Sequence, residues 1–198
     1  MNYKFDGDRL FFTSDTHFNH TNILRYCNRP FKTVGQMNET IITNWNNVVG
    51  PDDVIFHLGD FCLGGAEEWN KTLDRLNGRI YLILGNHDLK NIRQGLINRF
   101  ENVAMSMCIQ VGKKKIYLNH FPYLCFDGGY HNDVWQLFGH VHTRPSNTGI
   151  DAGRLQYLFP TQFDVGVDNN NFKPLSFDEV RNKIQRQIEQ NSKQMTKL

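Results

Sequence analysis

Along the first hundred residues, short apolar runs alternate with stretches whose apolar positions recur at helical spacing. Residues 10–13, 54–58 and 79–84 are compact apolar runs, the pattern of strands buried on both faces. Thr33 and Gln36 form a capping-box pattern, after which Met37, Ile41, Trp45 and Val48 repeat at helical spacing up to Gly50-Pro51. Residues 66–76 place Trp69, Leu73 and Leu76 on one side before Asn77-Gly78, predicting a second amphipathic helix, and 91–100 predict a less regular third. From Val103 onward the pattern becomes strands in succession, at 103–111, 115–119, 134–138 and 163–168. Gly112-Lys113-Lys114 reads as a hairpin tip, which makes Lys113, Lys114 and Lys115 a solvated turn rather than a nucleic-acid contact. Ser176 and Glu179 form another capping box, opening a terminal helix with Phe177, Val180 and Ile184 on one face, and the chain is polar after about residue 190. Residues 143–160 lack regular pattern and are expected to form a long loop.

This alternation predicts an α/β (α+β) fold with an α-rich first half and a β-rich second half. Without repeats or low-complexity linkers, 198 residues with 39% hydrophobic content suit one core, so a single domain over 1–198 is expected. Charge changes the picture only by exclusion: 22 basic against 20 acidic side chains carry no footprint of a duplex-binding protein. No apolar run approaches the roughly 20 residues of a membrane span, and the first ten residues lack the apolar stretch of a signal peptide. Cys27, Cys62, Cys108 and Cys125 show neither zinc-site nor disulfide-framework spacing and are expected to be free thiols in a soluble, cytoplasmic protein.

Five polar clusters follow apolar runs: Asp15-Thr16-His17, Gly59-Asp60, Gly85-Asn86-His87-Asp88, Asn119-His120 and Gly139-His140-Val141-His142. Ligands bind beyond the carboxyl ends of strands in open α/β sheets, so scattered clusters at such ends can converge. Together they supply two carboxylates (Asp15, Asp60), an amide oxygen (Asn86) and four imidazoles (His17, His120, His140, His142). On strands, the one-residue gaps of Asp15-x-His17 and His140-x-His142 put both side chains on one face. If Asp60 bridges, one oxygen to each cation, the set serves two divalent metals. Mixed oxygen and nitrogen donors without thiolate favour Mn, with Fe, Zn or Ni as alternatives. His57 and His131 are read as structural. Any single histidine here has a bland explanation as a satisfied core residue; the joint pattern does not.

In their order and spacing, DTH at 15, GD at 59, GNHD at 85, His120 and GHVH at 139 resemble the motif set of the calcineurin-like metallophosphoesterases. The resemblance spans about residues 10–142 and implies a four-layer β-sandwich flanked by helices. It assigns Asp15, His17, Asp60 and His142 to one metal, and Asp60, Asn86, His120 and His140 to the other. It further implies hydrolysis of a phosphate ester by a metal-bridging hydroxide, with His87 as general acid and Asp88 orienting it. Asn19, His20 and Arg144 are candidate substrate contacts, each with a structural role as the alternative, and Arg29 is a less well-placed phosphate clamp.

The residues after Gly59-Asp60 are Phe61-Cys62-Leu63-Gly64. They lack the Asp-Arg-Gly continuation of protein serine/threonine phosphatases, and Leu63 stands where purple acid phosphatases carry a tyrosine. A compact phosphodiesterase acting on a small phosphate ester or nucleotide is the favoured reading. A nuclease of the same superfamily and a non-catalytic interaction module on the same fold are the alternatives. Oligomeric state is left open.

Overall fold

The computed structural model describes residues 3–89, 96–142 and 152–195. Two five-stranded mixed sheets lie face to face. In the first, β2 (Leu10–Thr13), β3 (Val54–His57), β4 (Arg79–Ile83) and β5 (Asn102–Ala104) run parallel, and β10 (Leu175–Ser176) adds antiparallel to β2. In the second the order is β1 (Tyr3–Phe5), β6 (Ser106–Val111), β7 (Lys114–Asn119), β8 (Val134–Phe138) and β9 (Gln162–Asp164), with only β6 and β7 antiparallel.

Alternation along the strands sorts side chains into two cores. Leu10, Phe12, Phe56 and Ile83 point toward the second sheet, where they meet Ile109, Ile116, Leu118, Trp135 and Leu137. Ile55, Ile80 and Leu82 point the other way, against Met37, Ile41 and Trp45 of α2 (Val34–Asn46) and Trp69 and Leu73 of α3 (Ala66–Leu73). The first sheet is therefore buried on both faces, which explains its continuous apolar runs. The terminal helix α4 (Phe177–Met195) inserts Phe177, Val180 and Ile184 into the core between the sheets. Its capping box is complete: Glu179 N–H donates to Ser176 Oγ at 3.2 Å, and Ser176 N–H donates to Glu179 Oε2 at 2.9 Å. At α2 the Gln36 carboxamide instead accepts from Lys32 N–H, while Thr33 Oγ1 caps Gln36 N–H.

Several expected boundaries move. The apolar run 103–111 is two strands, because the chain leaves the first sheet after Ala104 and enters the second at Ser106, with Met105 exposed at the crossing. The expected strand 163–168 stops at Asp164, whose Oδ1 accepts from Gly166 N–H at 2.7 Å and starts a turn that becomes the short 3-10 segment Val167–Asn169. The hairpin tip forms as expected, with Gly112 at φ 55° between paired Val111 and Lys114. Of the two least regular segments, 90–95 and 143–151 lie outside the described residues, and Leu96–Arg99 and Ala152–Tyr157 are 3-10 turns. β1, β10 and α1 (Ile23–Tyr26) are too short to leave a periodic signal.

Candidate metal centre

Six parallel strands, three from each sheet, deliver the site. Loops leaving the carboxyl ends of β2, β3 and β4 carry Asp15 and His17, Asp60, and Asn86 with His87. Loops leaving β7, β8 and β9 carry His120, His140 with His142, and a residue not anticipated from sequence, Asp168. The loops are tied by extensions of the ladders: Asp15 N–H donates to Gly59 O at 2.9 Å, His17 N–H to Asp60 O at 3.0 Å, and Gly139 N–H to His120 O at 3.0 Å. Across the two sheets, Val167 N–H donates to Ser14 O at 3.0 Å.

Strand alternation is not what aligns the paired ligands. β2 ends at Thr13 and β8 at Phe138, before the motifs begin. Asp15 (φ 57°), His17 (49°), Asp60 (56°), His140 (68°) and His142 (46°) all take the left-handed conformation. Asp and His tolerate that region better than most side chains, but it still costs on the order of 1 kcal/mol or more each, and it persists only where surroundings impose it. Between them Thr16 turns inward, its Oγ1 donating to Phe61 O at 2.8 Å.

The side chains form overlapping donor groups whose ligating atoms lie within 4.8 Å of one another: Asp15, His17 and His142; His17, Asp60 and His87; and Asp60, His120 and His140. Asp60 Oδ2 is 3.5 Å from both His17 Nε2 and His120 Nε2, so one carboxylate faces both ends of the cluster. Asn86 Oδ1 is 3.2 Å from His120 Nε2 and belongs to the second end. Two buried atoms of this donor set bear on whether a cation fits. Among the described residues, Asp15 Oδ1 and His17 Nε2 are buried with no hydrogen-bond partner, an expensive condition that a coordinated metal would relieve. The residues present fit two divalent ions.

The motif glycines make room for the carboxylates. A Cβ on Gly139 would strike Ser14 Oγ and Asp15 Oδ2, and one on Gly85 would strike Asp60 Oδ1 and lie 2.5 Å from Asp60 N. Both carboxylates are otherwise held by backbone: Asp15 Oδ2 accepts from His140 N–H and Asp60 Oδ1 from His87 N–H, each at 2.9 Å.

Around the candidate ligands sits a layer that fixes them, and it takes up several residues that the sequence offered for other roles. Asp88 does not orient the His87 ring. Its fully buried carboxylate accepts from Asp60 N–H, Phe61 N–H and Gly85 N–H at 2.8, 2.9 and 2.8 Å, pinning two ligand loops together. Asn19 is committed to the protein rather than the cleft, with its amide nitrogen near Cys62 and Glu68 and its oxygen accepting from Asn38 at 2.6 Å. His20 stands behind His17, Nδ1 to Nδ1 at 3.1 Å, and also lines the cleft. Arg29 is buried and clamps no substrate: its fork holds Asp168 at 3.0 and 2.8 Å and donates to the carbonyls of Asp15 and Thr16. Asp168 in turn accepts from His142 Nδ1 at 2.7 Å, the carboxylate–imidazole arrangement that fixes which nitrogen faces a metal. Neither Asp168 nor Arg29 lies in a motif, and only the fold joins them. Arg144 lies outside the described residues.

His57 is structural, as expected. Thr16 Oγ1 gives its proton to Phe61 O, so it accepts from His57 Nε2 at 2.9 Å, while His57 Nδ1 accepts from Gly59 N–H at 3.2 Å. Both nitrogens are used in the neutral form, and burial pushes the pKa down to about 3. Burial likewise takes His17 well below its ordinary value. Burial also opposes charge on His120 and His142, but carboxylates outweigh it. Hydrogen bonding and charge from Asp60 lift His120 to about 9, and Asp15 and Asp168 lift His142 to about 11. The buried Asp60 carboxyl is held well below the usual carboxylate range chiefly by His120.

The sequence model of the calcineurin-like phosphoesterase family matches residues 9–175. The chain belongs to the calcineurin-like phosphoesterases. Within reach of it by sequence is the uncharacterized protein MJ1445 of Methanocaldococcus jannaschii, 36% identical over 176 residues that cover 86% of this chain and 88% of the relative. The gene 66 protein of Mycobacterium phage L5 is 31% identical over 182 residues, covering 73% of this chain and 87% of the phage protein. A solved structure, the protein of unknown function AQ665 from Aquifex aeolicus, has a TM-score of 0.65 at 26% identity, covering 86% of this chain and 96% of that one. This calcineurin-like phosphoesterase thus has two mixed sheets flanked by helices and candidate His/Asp metal-binding groups. Among its described residues no helix is long and apolar enough to cross a membrane.

Proposed function

We propose that this protein is a dinuclear metal-dependent phosphodiesterase acting on a small phosphate ester or nucleotide. The observation that carries the reading is the shared carboxylate: Asp60 faces His17 at one end and His120 at the other, beside orphaned buried donors on Asp15 and His17. Asp15, His17, Asp60 and His142 would hold one cation, and Asp60, Asn86, His120 and His140 the other. Such a pair, manganese by preference, supplies positive charge for a phosphoryl group and a water acidic enough to act as nucleophile near neutral pH.

The chain's own groups do the rest. His87 is 42% exposed at the cleft and 3.9 Å from Asp60 Oδ2, placed to hand a proton to a departing alkoxide. Its backbone N–H is tied to Asp60, so the acid and the shared ligand keep their spacing. Asp168 and His20 hold the His142 and His17 rings in the orientation coordination needs. The family match across 9–175 supports one domain.

The decisive experiment strips the protein with chelator and restores Mn, Fe, Zn or Ni singly. Hydrolysis of bis(p-nitrophenyl) phosphate should return with metal, exceed that of p-nitrophenyl phosphate, and vanish in Asp60→Ala together with bound metal. Two metals retained by Asp60→Ala, or turnover indifferent to chelation, would overturn the assignment.

A further inference from the structure

The metal cleft is not the only cavity that reaches the candidate ligands. A second one, of about 490 Å3, opens on the other side of His140 and is lined by Phe121, Leu124, Arg154 and Tyr157 among others. His140 belongs to both walls, so the two cavities meet at a residue of the second metal group. Its volume falls within the roughly 300–1,000 Å3 of small-molecule sites. Phe121 is built into the metal centre itself: its ring centroid is 4.6 Å from that of His140 and 4.9 Å from that of His120. Leu124 and Tyr157 are 72% and 68% exposed, and Phe121 is 40% exposed, so three of the large exposed hydrophobic side chains of the molecule gather at this one place. Scattered apolar residues on a surface need no explanation, but a cluster bordering a catalytic cleft marks a binding surface.

We propose that this cavity receives a planar aromatic group joined to the phosphorus, so that the substrate is an ester of an aromatic-bearing alcohol, a nucleoside being the natural example. The inference rests on the phosphodiesterase reading, since it is the phosphoryl group at the metals that places the organic group beside His140. Two of the lining side chains are aromatic, Phe121 and Tyr157, and a flat group gains from stacking on such rings where a sugar or an alkyl chain does not. A diester anchored at the metal cluster has one substituent directed to each side of the phosphorus, and the aromatic cavity occupies one of those sides.

The test is calorimetric titration of the manganese-loaded full-length protein with inorganic phosphate, ribose 5-phosphate, hexyl phosphate, phenyl phosphate and adenosine 5′-monophosphate. The expected result is that the two ring-bearing phosphates bind at least about tenfold tighter than ribose 5-phosphate and hexyl phosphate. A further gain of the nucleotide over phenyl phosphate would identify a nucleoside as the source of the ring, and parity would support the aromatic ring alone. In the double variant Leu124→Ala/Tyr157→Ala, both changes at exposed positions, the ratio of nucleotide to inorganic phosphate affinity should collapse. Phosphate binding with no preference for a ring, or a preference that survives the double variant, overturns the proposal while leaving the phosphodiesterase reading intact. Failure of all five phosphates to bind overturns the proposal, and failure of the manganese-loaded protein to hydrolyse bis(p-nitrophenyl) phosphate overturns both.

Discussion

Asp168→Asn is the most informative single change, because it alters one charge at a residue that touches no substrate. The Asp168 carboxylate, 1% exposed, accepts from Arg29 Nε and Nη2 at 3.0 and 2.8 Å and from His142 Nδ1 at 2.7 Å. Replacing it with an amide strands the buried Arg29 guanidinium, and breaking one partner of a buried pair costs about 3–5 kcal/mol. A loss of about 3–5 kcal/mol is a fifth or more of the stability of a typical domain, which is about 5–15 kcal/mol. For about 200 residues it should lower Tm by roughly 6–20 °C. Metal affinity should fall about 10–100-fold as well, since His142 loses the group that fixes its tautomer. Urea melts of the metal-free protein and titration with Mn measure the two effects separately. In an Arg29→Met background the stability cost of Asp168→Asn should shrink, because no stranded cation remains. Equal costs in both backgrounds, or unchanged metal affinity, would refute the idea that Asp168 couples Arg29 to the ligand His142.

Further expected outcomes follow from the same geometry. Gly139→Ala drives a methyl into Ser14 and the Asp15 carboxylate, so metal content and activity should fall together, and elemental analysis showing full occupancy would count against the close-approach argument. His87→Gln should retain metal but slow esters with poor leaving groups by about 10²–10⁴-fold while barely affecting p-nitrophenyl esters; equal losses on both would remove the proton-donor role. His57 has a folded pKa of about 3 against an unfolded value near 6.5, so the unfolded chain takes up the proton first. Its contribution is therefore whole above pH 6.5 and is lost as pH falls toward 3, at about 1.4 kcal/mol per unit. Urea melts of metal-free protein at pH 6 and 5 should show a steeper loss in the parent than in His57→Gln, and parallel slopes would contradict the neutral, doubly bonded ring.

Much of the molecule was legible in the sequence because its signals are local. Leu10–Thr13, Val54–His57 and Arg79–Ile83 are strands buried on both faces, so each is a continuous apolar run bounded by a polar cluster. The cap at Thr33 and the capping box at Ser176 need only three residues of context. The residue types of the five clusters announced a candidate His/Asp donor set, and their order pointed to the family. The tertiary structure decided whatever depends on where separate loops meet. Asp15 and His17 share a face because their backbone turns left-handed beyond the strand, not because a strand alternates. Asp88 staples the Asp60 and Gly85 loops where its position beside His87 suggested a catalytic partner. Arg29 and Asp168 are 139 residues apart and carry no motif, yet they form the buried pair behind His142. Sequence spacing encodes what a residue can offer within a few positions of itself; the burial, strain and charge that select its role come from neighbours only the folded sheets supply.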